Sequence, residues 1–457
     1  MDDLEETVLD LVGVGFGPAG IAVATAIEDE QETLSASAAR LSVQFIESAP
    51  TSAWQPHMLL PGTDIQHHYL RDFATPRNPR SRFTFPSYLV DTGRFYPFTL
   101  MGGYVSRHEW SEYVLWTAAA VTLPVRYGTT VIEIAPVVRD GRVIAARVGG
   151  EAAEGAEPCA YLARNVVVSI GHQPYVPDLF TAHLGERVFH SAEFLPRISA
   201  LAAQHRRRVA VIGAGQNAGE IVLHLVNTSA ETEIYSVVRN SGFRICNLGH
   251  FSNEAYFPDE TDYVYNLDDH ARRQVFDEVY STNYAGIDPD LSSALYRTVY
   301  EDRYWGRQRV VMRKRTAVDS CTPTPGGGYR LALREVHTGA SDQLEVDVVV
   351  LCTGYREPKL PAILDPFRGY VDLDGTANPV LTRDFRLGLA ARCDVGLYLN
   401  GITEWRHGIN TATSFSTMAT KAGEILLDIR RRCESSLATG ADFANNSKVS
   451  GHVVPVG

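Results

Sequence analysis

The run Val8-Leu9-Asp10-Leu11-Val12-Gly13-Val14 is short and mainly apolar, which predicts a buried strand. Gly15-Phe16-Gly17-Pro18-Ala19-Gly20 follows it, and the small-residue stretch Ile21 to Ile27 then carries a helical pattern. The same order of strand, glycine turn and helix recurs at Arg208-Val209-Ala210-Val211-Ile212, at Gly213-Ala214-Gly215-Gln216-Asn217-Ala218, and from Glu220 to Val226. Between the copies lie a polar, loop-like tract from Thr51 to Arg82, an amphipathic segment from Glu109 to Ala120, and the apolar strand Asn165 to Ile170, which is expected to rejoin the first sheet.

After the second copy the pattern turns aromatic and acidic over Phe251 to Arg309, which predicts helices, and Pro325-Gly326-Gly327-Gly328 marks a hairpin. Val346 to Leu351 predicts one buried strand running into the turn Cys352-Thr353-Gly354-Tyr355. The tail from Ala441, with Asn, Ser, Lys and Gly, reads as a fraying terminus. The fold class expected is α/β, with two Rossmann-like dinucleotide-binding domains and a small, mainly helical substrate-binding region. The layout expected is a first domain interrupted by the second: residues 1–200, then 201–345 with the helical segment at about 250–310, then 346–457 returning to the first domain.

Composition narrows the classes. At 457 residues, with 45% hydrophobic and 21% charged, the chain has the balance of a globular protein with ample core. The net charge of −12, with no dense run of Lys and Arg, argues against nucleic acid as a partner. No apolar window of ~18 residues suits a membrane span, and the acidic start Met1-Asp2-Asp3-Leu4-Glu5-Glu6 is unlike a signal peptide, so the cytoplasm is the expected compartment. The six cysteines are scattered without a CxxC, and no metal site is expected.

The turns carry the first chemistry. In Gly15-x-Gly17-x-x-Gly20 the first glycine permits the tight turn, the second lets the backbone approach a pyrophosphate, and the third lets helix and strand pack closely. Glu47 ends the apolar run Leu41 to Ile46, where a second strand presents a carboxylate to a ribose diol. The second copy has Ala218 at its third position, and its next strand, Glu233 to Val238, ends at Arg239, a residue suited to a 2′-phosphate. FAD is therefore assigned to the first turn and NADPH to the second, with Gln216 and Asn217 at the helix start able to donate to phosphate or nicotinamide. A flavin beside a nicotinamide implies flavin reduction followed by onward electron transfer. Without the vicinal cysteines of a disulfide reductase, the expected acceptor is oxygen.

Five stretches together carry a resemblance: Asp10 to Pro18, Trp54-Gln55-Pro56-His57-Met58-Leu59-Leu60-Pro61-Gly62-Thr63, Pro79-Arg80-Ser81-Arg82-Phe83-Thr84-Phe85, Gly213 to Glu220, and Cys352-Thr353-Gly354-Tyr355. In this order they resemble the flavin-dependent N-hydroxylating monooxygenases, the L-ornithine and L-lysine N-monooxygenases of siderophore biosynthesis, over about Asp10 to Ile425. The resemblance implies NADPH- and oxygen-dependent N-hydroxylation of a side-chain primary amine through a flavin hydroperoxide, and a homo-oligomer, commonly a tetramer. It places FAD on Gly15, Gly17, Gly20, Glu47, Trp54, His57 and Gln66, and NADPH on Gly213, Gly215, Gln216, Asn217 and Arg239. It places the substrate on Arg71, Asn253, Asn283 and Ser416, with Gln66 and Asn283 at the reacting centre.

Two departures from the family pattern bear on the substrate. Where ornithine hydroxylases carry Lys in Gln-x-x-x-Leu-Lys-Asp, this chain has Arg71 in Gln66-His67-His68-Tyr69-Leu70-Arg71-Asp72, a longer, planar cation that changes the pocket's depth. The His-Gly-Leu-Ser-Asp run becomes His407-Gly408-Ile409-Asn410-Thr411, one residue longer before Ser416. Three further readings stay open: a diamine or unusual amine as substrate, a Baeyer–Villiger or sulfide oxygenase, and a non-oxygenating flavoprotein.

Overall fold

The computed structural model describes residues 7–35, 39–152, 157–201, 207–411, 414–438 and 452–453. The first strand, Val8–Val14, pairs in parallel with Val43–Ile46 on one side and with Cys159–Val168 on the other. Alternation along these strands gives the sheet two apolar faces. Leu11, Phe45 and Val167 face the helices Pro18–Thr33, Arg107–Ala120 and Met418–Ala438, whereas Val12, Val14, Ile46, Val166 and Val168 face the layer that holds Ile134, Leu364 and Phe367. Gly13 interrupts the alternation because the Phe45 ring lies against it; a Cβ there would come 2.2 Å from that ring.

Cys159–Val168 changes partners along its length. Its first half pairs antiparallel with Arg142–Ala152, and from Asn165 onward the same edge pairs in parallel with Gly396–Leu399. The chain's last third thus returns to the first sheet, which has eight strands among the described residues. Most of the tail from Ala441 lies outside the described residues, but His452–Val453 pairs antiparallel with Val137 and Val138.

The second sheet, five parallel strands among the described residues, runs in the order Val310–Lys314, Thr232–Val238, Arg207–Ile212, Val348–Leu351, Val188–His190. The helices Gln216–Thr228 and Pro289–Tyr304 cover one face through Val209, Val211, Ile221 and Leu291. An antiparallel sheet of Thr316–Pro323, Tyr329–Glu335 and Ser341–Val346 covers the other, and the predicted hairpin joins its first two strands.

The sequence and the structure part company in two places. Val346 to Leu351 is two strands rather than one: Asp347 breaks the run, donating its N–H to the Arg208 carbonyl and accepting the Arg208 N–H on its carboxylate, so the chain leaves the antiparallel sheet and enters the parallel one. Val188–His190 and Val348–Leu351 belong to the second sheet, so it draws strands from beyond both expected limits, at 200 and at 346. The crossing between sheets is the ribbon of Gln173–Pro174 with Tyr355–Arg356, where Tyr175 donates to the Gly354 carbonyl at 2.9 Å.

The tract Phe251 to Arg309 is helical as the pattern predicts, with helices at Pro258–Asn266, Asp269–Val279 and Pro289–Tyr304. The Thr51–Arg82 tract is loop with one short 3-10 turn, but it is not a solvent loop. Met58 and Leu60 are buried in the core of the second sheet and Ile65 and Phe73 in that of the first, so the tract ties the two layers together. No helix among the described residues is long and apolar enough to cross a membrane.

Candidate active site

Each glycine turn ends a parallel strand and caps a helix. Gly15 has φ +93° and would carry a Cβ 2.4 Å from the Ser169 carbonyl oxygen, while a Cβ on Gly20 would lie 2.2 Å from the Gly15 oxygen. At Gly17, the N-cap of Pro18–Thr33, a Cβ would meet nothing within 4 Å, and no side chain caps the helix. The second turn repeats this. Gly213 has φ +142° and backs onto Cys352, whereas Gly215, the N-cap of Gln216–Thr228, faces open space with no side-chain cap. Two helix N-termini with free N–H groups and open ground in front fit the pyrophosphates of two dinucleotides.

Glu47 stands at the end of Val43–Ile46, and its carboxylate accepts the Phe16 N–H at 2.6 Å and the Ala49 N–H at 2.8 Å. It fixes the glycine turn while keeping lone pairs for a ribose. Arg239 is exposed just past Thr232–Val238, and Gly213 donates to the Val237 carbonyl, so Arg239 follows the strand end that the second turn is tied to. Trp54 is half-buried, edge-on to Phe415 at 5.8 Å. His57 is exposed, with Nδ1 3.2 Å from the Ala192 carbonyl, and spans from the loop to the approach of the second sheet.

Gln66 and Gln216 meet at a residue the sequence did not single out. Both amide nitrogens donate to Asp288 Oδ2, at 2.7 and 3.0 Å, and Asp288 returns its N–H to Gln216 Oε1. Gln216 also donates to Glu220, whose carboxylate takes both arms of Arg107 at 2.8 and 2.9 Å in an almost fully buried pair. The chain Gln66–Asp288–Gln216–Glu220–Arg107 therefore bolts the loop of the first sheet to the helix start of the second. Burial holds the Asp288 carboxyl above its ordinary range. Beside this chain a cavity of about 220 Å³ opens, lined by Asp288, Gln216, Asp64 and Tyr104. Asp288 is the N-cap of Pro289–Tyr304, yet its side chain makes no cap hydrogen bond and is free for the two amides.

The expected substrate residues come from four distant segments. Arg71 Nη1 donates to Ser416 Oγ at 2.7 Å, and its guanidinium lies 6.0 Å from the centre of the Phe257 ring. Arg71 is half-buried, its pKa lowered by lost hydration, and it has no carboxylate partner among the described residues. Asn283 is exposed at the end of the turn Tyr280–Thr282. Asn253 uses its amide nitrogen on the carbonyls of Asn247 and Gly249, a local loop contact that leaves its oxygen for another donor. Tyr284, next to Asn283, donates to Glu404 Oε2 at 2.7 Å, and burial pushes the Glu404 carboxyl up to about 7. His67, next to Gln66, is half-buried with its ring packed against Trp110 and Phe415, and the lost hydration pushes its pKa down to about 4 and keeps the ring neutral.

The chain thus carries two open helix starts and a half-buried cation with no carboxylate partner among the described residues, and comparison with known proteins identifies its family. The family model described as L-lysine 6-monooxygenase/L-ornithine 5-monooxygenase matches residues 7–357. The chain belongs to this family. It is 35% identical over 408 residues to the L-ornithine N(5)-monooxygenase of Burkholderia cepacia, covering 88% of this chain and 90% of that protein. Among solved structures it is similar to the L-lysine 6-monooxygenase of Pseudomonas syringae, at 41% identity and a TM-score of 0.83, covering 93% of this chain and 99% of that one. The ornithine N-hydroxylase of Kutzneria sp. 744, solved with reduced FAD, NADP+ and L-ornithine, matches at 31% identity and a TM-score of 0.87 over 93% of this chain and 100% of that one. Membership makes the chain a flavin-dependent N-monooxygenase and agrees with the two dinucleotide turns.

Proposed function

We propose that the protein N-hydroxylates the side-chain primary amine of L-lysine or L-ornithine, using FAD, NADPH and oxygen, for siderophore or related secondary-metabolite biosynthesis in the cytoplasm. The observation that carries this reading is Arg71: a half-buried guanidinium, bonded to Ser416 and without a carboxylate partner among the described residues. A cation that has lost water without gaining an acid favours an anion, and the anion an amino acid offers is its carboxylate.

FAD belongs to Gly15, Gly17, Gly20 and Glu47, with Trp54, His57 and Gln66 along the loop, and NADPH to Gly213, Gly215, Gln216, Asn217 and Arg239. When bound and reduced by NADPH, the flavin supplies the activated oxygen. The protein's own work is orientation and exclusion. Arg71 and Ser416 hold the carboxylate, and Asn253 and Asn283 add neutral donors and acceptors. The amine must react as the free base although its unperturbed pKa is near ~10.4, and the amides at that end, Gln66 and Asn283, add no net negative charge of their own that would hold it as the ammonium. The buried ring cluster of Phe73, Trp110 and Phe415 backs the site and keeps water from it.

The sheet that recruits Gly396–Leu399 next to Asn165–Val168 supports a first dinucleotide unit built from both ends of the chain, with the second unit inserted between. The test is a hydroxylamine and oxygen-uptake screen of L-lysine, L-ornithine and cadaverine on wild type and Arg71→Ala. Loss of the carboxylate contact should raise KM for the preferred amino acid about tenfold to a hundredfold and leave cadaverine nearly unchanged. Cadaverine hydroxylated by wild type in preference to both amino acids would replace this reading with that of a diamine hydroxylase.

A further inference from the structure

As a charge, Asp288 is out of place. Its carboxylate stands against Gln216, the first residue of the helix whose open N-terminus is assigned to the NADPH pyrophosphate, and Asp64, Asp290 and Glu220 add to the negative field around it. An acid beside an anion site lowers the affinity of that site for its anion. The carboxylate does not cap the helix Pro289–Tyr304 either. It is spent on two amides.

An amide side chain can turn either end toward a partner, but a carboxylate, which only accepts, admits the nitrogen alone. Gln216 is held in this way by three bonds. Its two N–H groups go to Asp288 Oδ2 and Glu220 Oε1, each at 3.0 Å, and its own Oε1 accepts the Asp288 N–H, also at 3.0 Å. The donors that the sequence offers to the dinucleotide are thereby used, and Gln216 keeps one lone pair on Oε1. Gln66 donates to the same Asp288 oxygen at 2.7 Å, which leaves its carbonyl oxygen and its second N–H for a ligand. Gln66 also has φ +54°, a left-handed backbone that strains a non-glycine residue and persists where the surroundings fix it.

We propose that Asp288 is a positioning residue for both cofactor sites: one accepting oxygen sets which end of the Gln66 amide is turned to the flavin and which end of the Gln216 amide is turned to the nicotinamide dinucleotide. This rests on the assignment of Gln66 to FAD and Gln216 to NADPH made above. The role belongs to the oxygen and not to the charge, so Asp288→Asn, which keeps an accepting oxygen, preserves it and Asp288→Ala abolishes it.

The test is calorimetric titration of the FAD-loaded full-length protein with NADP+, together with the rate at which the diluted holoenzyme releases FAD, read from flavin fluorescence. Asp288→Ala should weaken NADP+ about tenfold, whereas Asp288→Asn should bind it as tightly as wild type or more tightly, because the oxygen stays and the repulsive charge goes. Added to Gln216→Ala, the Asp288→Ala change should alter NADP+ affinity less than about twofold, since the residue it acts through is already gone. In the same way Asp288→Ala should speed FAD release about threefold in the wild-type background and leave it unchanged in Gln66→Ala. Undiminished NADP+ affinity in Asp288→Ala would overturn the proposal, as would losses that add in full in either double variant. So would a loss in Asp288→Asn equal to that in Asp288→Ala, a readout that stands even if the alanine disturbs the fold. Wild type that fails to bind NADP+ would overturn the cofactor assignment itself and this inference with it, whereas each of the other outcomes overturns the role of Asp288 alone.

Discussion

At Gly17 and at Gly215 the structure leaves open space where a side chain would begin, while at Gly15, Gly20 and Gly213 an added Cβ would press into a carbonyl oxygen. The two turns share that division between glycines the fold requires and glycines a ligand requires. They differ at the third position and at the flanking charge. Gly20 lets the first helix sit against the Gly15 carbonyl, a contact that Ala218, itself fully buried, shows the second turn does not need. Glu47 is drawn into the first turn by the Phe16 N–H, whereas Arg239 stands exposed beside the second. One turn is tightened around an acid and the other left loose beside a base, the difference on which the proposed division between FAD and NADPH rests.

The largest expected effect falls on the link between the turns. Arg107 rises from the helix next to the first sheet and closes on Glu220 in the opening turn of the second helix, with both side chains almost fully buried. Arg107→Met would leave a carboxylate buried without its cation, and unfolding in urea should show a loss of about 3–5 kcal/mol. A loss below about 1 kcal/mol would mean that the two turns are held together by the apolar loop around Met58 and Leu60 instead.

The glycines separate fold from ligand more finely. Gly20→Ala should cost about 1–3 kcal/mol, because the methyl group meets a backbone oxygen that cannot move freely. Gly17→Ala should leave the Tm near that of wild type, since its φ of −75° suits alanine, yet weaken FAD about tenfold to a hundredfold through the displaced pyrophosphate. Gly215→Ala should do to NADPH what Gly17→Ala does to FAD, with FAD content unchanged. Equal loss of both cofactors in either variant would erase the distinction between the turns.

The turns were legible because all their parts lie within a few residues: an apolar run, glycines at fixed spacing and a helix whose N-terminus needs an anion. Asp347 was not, since one acid inside an apolar run does not say that the chain changes sheets there. The site divides in the same way. Glu47 and Arg239 follow from where strands end, but Arg71 and Ser416 are 345 positions apart and only the resemblance joined them. Asp288 takes hydrogen bonds from Gln66 and Gln216, 222 and 72 positions away, and nothing near it in the sequence signals them. Glu404 gives no local signal either, because its chemistry comes from the burial that Tyr284, 120 positions away, helps to complete.

The smallest expected effect is the one that decides between the turns by charge alone. Arg239 is exposed, so its attraction for a 2′-phosphate is screened by solvent and salt, and its removal should change little besides that contact. Arg239→Ala should therefore raise KM for NADPH about tenfold and leave KM for NADH and the flavin content where they were. Arg239→Lys should restore part of the preference, because a point charge replaces the attraction but not the planar fork. The NADPH effect should shrink as ionic strength rises, which a purely structural role for Arg239 would not produce. If NADPH and NADH suffer alike, the second turn binds its pyrophosphate without reading the ribose, and its difference from the first rests on Glu47.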